Sequence, residues 1–330
     1  MRILFTGASS FTGFWFVKSL AERGHQLSAT FRHASAGAYL ETRGARVSRI
    51  IDHCEPLFAC AFGDDQFIEH IRSGSYDLVC HHAAEVTDYK SPDFKIEAAV
   101  ANNTFRSMEV IEAISESGCG KLLITGSVFE RDEGDGDRPL ISISPYGESK
   151  AQTADIFKKQ AEAAGITLGK FVIPNPYGPY EEARFTSFLV GQWMAGKTAQ
   201  ITMPDYVRDN IAVSLLAKAY AEFAVRVAGT MTDADAAGIA GEAMDRGSFI
   251  KQNPSGYVAD QGKFSAEFAR QLEPRLGIPC RFELLEQKDF SQPLRRFNTD
   301  NPDHEALGFS PERAWDELAA YYLEVFGGPH

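Results

Sequence analysis

The sequence predicts an α/β chain: a doubly wound parallel sheet followed by a smaller C-terminal α/β unit. Three observations predict it. Short apolar runs bounded by glycine or charge alternate with segments of helical periodicity as far as Ile173. The first of these runs passes through a glycine-containing turn straight into a helical pattern. Beyond Ile173 the alternation loosens, and at 330 residues the chain is longer than a single core usually supports.

Taken in order, RILFTG (2–7), HQLSATF (25–31), ARVSRII (45–51), YDLVCHH (76–82), KLLITG (121–126) and TLGKFVI (167–173) read as strands. Between them TGFWFVKSLAERG (12–24) and QFIEHIRSG (66–74) carry apolar residues at helical spacing. Residues 93–118 and 145–165 read as the two best helices, each polar on one side. Such a pair often supplies a dimer interface, and a solvated face is the alternative. After the proline-rich IPNPYGPY (173–180) come helices over 185–196 and 212–227, and an Ala, Asp and Gly-rich excursion over 228–247. A helix over 263–276, the strand CRFELLEQ (280–287) and a last helix over 311–326 complete the chain. The expected division is 1–176 for the main domain, with 197–227 returning to it, and 177–196 with 228–330 for the smaller, substrate-binding one.

A formal net charge of −12 offers no electrostatic footprint for nucleic acid or an anionic membrane, so an anionic ligand must be met by individual arginines. No apolar run approaches the roughly 20 residues that span a bilayer, and MRILFTGASS lacks a signal-peptide layout, so a cytoplasmic protein is expected. The five cysteines show no metal-like pairing and suit a reducing compartment. His81 and His82 are neighbours on a strand and point to opposite faces, so packing is expected of them rather than a shared metal.

The first strand runs into Thr6-Gly7-Ala8-Ser9-Ser10-Phe11-Thr12-Gly13. Small residues are needed where backbone N–H groups and a helix N-terminus must approach a pyrophosphate. A plain strand-to-helix connection is the alternative, but the position at the first strand–helix junction favours a dinucleotide and makes the sheet Rossmann-type. Phe14-Trp15-Phe16 behind the turn reads as packing. The second strand ends in Arg32 and His33, where an NAD site usually offers an acid to the ribose; an arginine there suits the extra phosphate of NADP. NADP is therefore expected, with NAD as the alternative.

Tyr146-Gly147-Glu148-Ser149-Lys150 opens a helix and puts Tyr146 and Lys150 on one face. Bringing a phenol of pKa about 10 into use near neutrality takes roughly 4 kcal/mol of electrostatic help, which a cation one turn away supplies in part. Y-x-x-x-K alone is common by chance. It gains force by following a fifth strand that ends in Thr125-Gly126-Ser127-Val128-Phe129, a source of a hydroxyl for the same reacting oxygen.

These residues resemble the extended short-chain dehydrogenase/reductase superfamily, in particular its nucleotide-sugar epimerases, dehydratases and ketoreductases, along nearly the whole chain. TGASSFTG resembles the family's T-G-x-x-G-x-x-G turn, with Ser10 in place of the middle glycine. His82-Ala83-Ala84 resembles its strand-four alanine motif beside the cofactor, and Asn103 falls at a structural asparagine. The resemblance implies Thr125, Tyr146 and Lys150 as the catalytic set, with Ser127 as the fallback for Thr125. It places Gly7, Ser9, Ser10, Phe11, Thr12, Gly13, Arg32, Ile173 and Pro174 with His82, Ala83 and Ala84 about the cofactor. Asn175 of the N-x-Y-G-P-like segment and Arg208 of Arg208-Asp209-Asn210-Ile211 are implied at the substrate's phosphates. Arg295 and Arg296 are candidates for a second phosphate contact, with plain surface charge as the alternative.

Family dehydratases carry an acidic pair after the strand-five threonine; here Gly126 and Ser127 stand there, so dehydration is not expected. Arg32 then favours NADP-dependent reduction of a nucleotide-linked 4-keto sugar, with Tyr146 as proton donor. A 4-epimerase with retained cofactor is the alternative, and a non-catalytic NADP-binding regulator the third reading. A homodimer is the family-level expectation.

Overall fold

The computed structural model describes residues 1–229 and 247–327. Seven parallel strands form the main sheet: β1 (Arg2–Thr6), β2 (Gln26–Phe31), β3 (Glu55–Phe58), β4 (Leu78–His81), β5 (Lys121–Ser127), β7 (Thr167–Ile173) and β11 (Phe249–Gln252). Their spatial order is β11-β7-β5-β4-β1-β2-β3, which reverses between β1 and β4. In such a sheet the crevice beyond the carboxyl ends at the reversal is where ligands bind.

A second sheet runs β12 (Tyr257–Asp260), β10 (Val207–Ala212), β14 (Arg295–Phe297) and β6 (Asp135–Gly136), and β8 (Asn175–Tyr177) pairs with β10. A two-stranded ribbon joins β9 (Ala199–Ile201) to β13 (Phe282–Leu284). The helices are α1 (Phe11–Glu22), α2 (Glu41–Ile50), α3 (Asp65–Ser73), α4 (Ile96–Asn103), α5 (Ser107–Glu116), α6 (Pro145–Ala164), α7 (Phe185–Met194), α8 (Val213–Ala228), α9 (Gln261–Leu276) and α10 (Pro311–Phe326).

Strand alternation divides the main core in two. Ile3 and Phe5 pack with Phe16, Leu20, Leu216 and Tyr220 of α1 and α8, whereas Leu4 and Val79 pack with Ile111, Ile114 and Phe157 of α5 and α6. A third core gathers Tyr177, Trp193, Phe268, Leu272, Leu318 and Tyr322 in the smaller unit.

Several expected elements come out differently. ARVSRII is helix α2 and a following turn, not a strand, because Arg46, Val47 and Ile50 share a helical face and are buried on it. The third strand is Glu55–Phe58. The helix expected over 93–118 is two, broken at Arg106, whose left-handed backbone (φ 49°) lets its guanidinium reach Asp65, Glu109 and the Gly63 carbonyl. Phe249–Gln252, expected in the smaller unit, extends the main sheet by pairing with β7. Of the segment expected to return to the main domain, α8 packs there, but β9 and β10 belong to the other sheets. Most of the excursion expected over 228–247 lies outside the described residues. No described helix is long and apolar enough to cross a membrane. All five cysteines are free, and burial pushes Cys80 and Cys280 up to about 12.

Candidate active site

The turn between β1 and α1 is built for close approach. Gly7 has φ +85°, and a Cβ there would stand 2.7 Å from the Ala83 amide nitrogen; on Gly13 it would stand 2.1 Å from the Gly7 carbonyl oxygen. Ser10 caps α1: its hydroxyl accepts from Gly13 N–H (3.1 Å) and donates to the Gly7 carbonyl (2.9 Å). Phe11 and Thr12 open the helix, so their N–H groups are among the terminal donors that anions meet. The Ser9 carbonyl accepts from Nε of the buried Arg46 (2.9 Å), whose Nη1 and Nη2 donate to the Tyr180 carbonyl and to Glu182. These glycine contacts and helix donors fit a dinucleotide pyrophosphate.

Beyond β4, the Ala83 amide donates to Thr6 Oγ1 (3.1 Å), and Ala84 follows it. Asn103 Oδ1 accepts from the Glu85 amide (2.7 Å), which anchors this segment as the sequence resemblance implied. His81 and His82 do point to opposite faces: His81 stacks on Phe62 (3.8 Å between centroids), and His82 lies against Phe16 and Phe5. Among the described residues no cluster could hold a metal. Arg32 is exposed at the end of β2 and helps Thr87 keep the Glu85 carboxyl below its ordinary range. Phe14, Trp15 and Phe16 pack, with Phe16 stacked on Tyr220 at 3.9 Å.

Ser144 caps α6, Pro145 occupies its first position, and Tyr146 and Lys150 follow on one face. Tyr89 and Phe94 meet the Tyr146 ring edge-on at 5.4 and 6.0 Å. Burial, aided by Glu130 and Tyr89, pushes this phenol above its ordinary value, and Arg184 opposes them. Lys150 Nζ donates to the Thr125 carbonyl (2.6 Å). Burial pushes Lys150 down to about 8, against the pull of Glu130.

The structure gives Thr125 a partner that the sequence did not suggest. The Thr125 side chain points to the α1 and α8 side of the sheet, where its hydroxyl meets His82 Nδ1 at 2.9 Å. Ser127, the fallback, lies two residues further toward the strand end and is half-buried. Gly126 has no space for a side chain: a Cβ would stand 2.6 Å from Lys170 Cε and 3.0 Å from Glu130 Oε1. Lys170 is buried between Glu130 and Glu133, and Lys251 and Asn253 also bond Glu133.

Downstream, the Ile173 carbonyl accepts from the Val128 amide (2.9 Å), Pro174 is buried, and Asn175 Nδ2 donates to the Asp209 carbonyl (3.2 Å). Arg208 is only 5% exposed on β10. It donates to the Val207 and Leu294 carbonyls and to Gln292 Oε1, stacks on Tyr206 at 4.4 Å, and has no ion-pair partner among the described residues. Burial pushes it down to about 10. Arg296, expected at a phosphate, is instead buried and donates to the Val128, Glu130, Glu133 and Ile141 carbonyls, clamping the loop after β5. Arg295 is exposed over Phe297.

Sequence reasoning missed Arg184. Its guanidinium lies 5.5 Å over the Phe11 ring, its Nε is buried without a hydrogen-bond partner among the described residues, and its charge reaches Tyr146. The residue next to a helix start carried no signal of this. Glu130 was likewise missed, although an acid directly after Val128-Phe129 was there to be noticed.

The fold is shared with solved epimerases. UDP-glucose-4-epimerase from Stenotrophomonas maltophila, with bound NAD and formylated UDP-arabinopyranose, is 18% identical, with 99% of this chain and 98% of that one covered at a TM-score of 0.69. UDP-glucose 4-epimerase from Thermotoga maritima with UDP-glucose is 19% identical, with 98% and 99% covered at 0.68. UDP-glucuronic acid 4-epimerase from Bacillus cereus, with UDP-glucuronic acid and NAD, is 16% identical, with 98% and 100% covered at 0.68. No curated relative matches the chain in sequence. The model of the NAD dependent epimerase/dehydratase family matches residues 3–229. The chain therefore belongs to the NAD dependent epimerase/dehydratase family and is an enzyme of the extended short-chain dehydrogenase/reductase type.

Proposed function

We propose that the chain is a nucleotide-sugar 4-epimerase that holds a nicotinamide dinucleotide at the Gly7–Gly13 turn. The observation that carries this reading is the presence of Tyr146 and Lys150 on α6 together with Arg208, a buried cation with no ion-pair partner among the described residues, one strand over from Asn175. A nicotinamide held there would supply the acceptor and donor of the hydride exchanged with the sugar carbon. Tyr146 takes the proton of the sugar hydroxyl and gives it back, and Lys150 stabilises the phenolate. Ser127, rather than Thr125, is the hydroxyl that steadies the reacting oxygen. Arg208 holds the diphosphate through charge-assisted hydrogen bonds, and Arg184 adds a second cation beside Tyr146. Lys170 fills the side-chain space at Gly126, which leaves no place for a dehydratase acid.

The family description and the UDP-sugar 4-epimerases among the structural neighbours support epimerisation over the net reduction that Arg32 suggested. Arg32 keeps reduction with NADP as the second reading, because it is exposed where a ribose phosphate would lie. The test is to incubate the protein with a panel of UDP-hexoses and no added cofactor. Interconversion without net change in nicotinamide absorbance is expected. Stoichiometric oxidation of added NADPH by a nucleotide-linked 4-keto sugar would replace this reading with the reductase. A cytoplasmic homodimer is part of the proposal, formed on the α4–α6 face where Phe105 and Met108 are 50% and 63% exposed; light scattering measures it.

A further inference from the structure

Ser10 stands at the position where a dinucleotide-binding turn needs glycine so that its backbone can approach the pyrophosphate. A side chain there has to be kept away from the ligand. The Ser10 hydroxyl is in contact with three groups: the Gly7 carbonyl, the Gly13 amide and, at 3.1 Å, His82 Nε2. Thr12 Oγ1 lies 3.0 Å from the same nitrogen. The opposite ring nitrogen, Nδ1, meets Thr125 Oγ1 at 2.9 Å. Phe16 and Phe5 hold the imidazole from its faces and edges.

In this relay, with the single Ser10 hydroxyl proton on the Gly7 carbonyl, the serine accepts from His82, which is then the Nε2–H tautomer with its Nδ1 accepting from the Thr125 hydroxyl. Burial keeps the ring neutral, with Lys150 and His81 acting in the same direction. Thr125, at the far end, takes Lys150 on its carbonyl.

We propose that His82 is a positioning residue for the cofactor site: it draws the Ser10 side chain off the ligand-facing side of the turn, and so allows serine where the turn otherwise requires glycine. The inference rests on the dinucleotide reading above. It assigns the hydroxyl of Thr125 to this relay rather than to the substrate.

The experiment titrates NAD and NADP into wild type, His82→Leu, His82→Gln, Ser10→Gly and Ser10→Gly/His82→Leu, with Tm measured alongside. His82→Leu weakens cofactor binding by about tenfold, the scale of one net hydrogen bond. Ser10→Gly placed in the His82→Leu protein restores binding to within about threefold of Ser10→Gly alone, because a glycine needs no restraint. His82→Gln, whose Nε2–H replaces the imidazole donor, keeps most of the binding, and it serves as the test if His82→Leu does not fold. Equal losses in the single and double leucine variants, or a tenfold loss in the glutamine variant, would overturn the proposal. Wild-type protein that binds neither dinucleotide would instead overturn the functional reading on which it rests.

Discussion

At the carboxyl end of the main sheet neutral groups satisfy one another on either face, His81 with Thr6 and the Asn103 carbonyl on one side and the half-buried His82 with Thr125 on the other, and desolvation pushes both histidines down to about 3. On β10 and β14 of the second sheet Arg208, Asp209 and Arg296 are buried as ionisable groups instead. Arg208 and Asp209 are neighbours on one strand, point to opposite faces and do not pair. Asp209 accepts from the Gly256 and Asn298 amides while burial pushes it up to about 6. Neither arginine has an ion-pair partner among the described residues; Arg296 is spent on four carbonyls, whereas Arg208 beside it, in register, meets two carbonyls and Gln292 Oε1. A neutral, mutually satisfied network is already in its working arrangement and insensitive to pH. A buried cation without an anion gains most from a ligand that brings one.

The largest effect expected is on the main-sheet side. Tyr146→Phe removes the proton-transfer group alone and should lower turnover by roughly 10² to 10⁴ while cofactor binding and Tm stay near wild type. Near wild-type turnover would take Tyr146 out of the mechanism. Loss of cofactor binding would show that the neutral network leans on the phenol, and the contrast between the two sheets would weaken. Next in size, Arg208→Ala should cost about 1.5 to 3 kcal/mol in UDP-sugar binding, read as a raised KM, and leave dinucleotide titrations unchanged. Equal loss of both ligands would mean that the arginine supports the fold and is not waiting for a diphosphate.

What was legible in the sequence follows the same division. The Gly7–Gly13 turn and the Tyr146/Lys150 pair are set by spacing within one turn or one helix, so they could be read directly, as could the opposite directions of His81 and His82. The partner of Thr125 could not be read, because its hydroxyl meets His82 at the end of a neighbouring strand, 43 residues away in the chain. ARVSRII looked like a strand because the reason for burying Arg46 lies far along the chain, at the Tyr180 carbonyl and Glu182. Arg296 read as a phosphate ligand for the same reason: its acceptors, the carbonyls at 128–141, approach it only through the second sheet.

The alkaline side of the pH profile gives a smaller effect. Lys150 is cationic below about 8 and loses its charge as pH rises through that value. Its support for the phenolate goes with the charge, so kcat/KM, which reports the free enzyme, should fall above about pH 8. Lys150→Arg keeps a cation at every working pH, and its limb should lie at least one unit higher whatever its absolute rate. An unmoved limb would assign that titration to another group.

The smallest effect concerns Asp209, and its sign follows from burial. A carboxyl held near 6 in the folded chain and near 4 when unfolded binds its proton more tightly in the fold. Its contribution to stability is complete below the unfolded value and is lost as pH rises through about 6. Asp209→Asn is neutral throughout and escapes that loss, although an amide serves the Gly256 and Asn298 donors less well than a carboxylate and carries a constant cost. The quantity to follow is therefore the difference in Tm between variant and wild type, which should move in the variant's favour by a few degrees between pH 4 and pH 7. Glu181, pushed up to about 7 by burial in spite of the hydrogen bonds that Tyr322 and Thr186 donate to it, titrates in both proteins and cancels in the difference. A difference that stays flat with pH would mean that Asp209 titrates as an ordinary carboxylate. The second sheet would then differ from the main one only at Arg208, and the ligand-facing imbalance would rest on that residue alone.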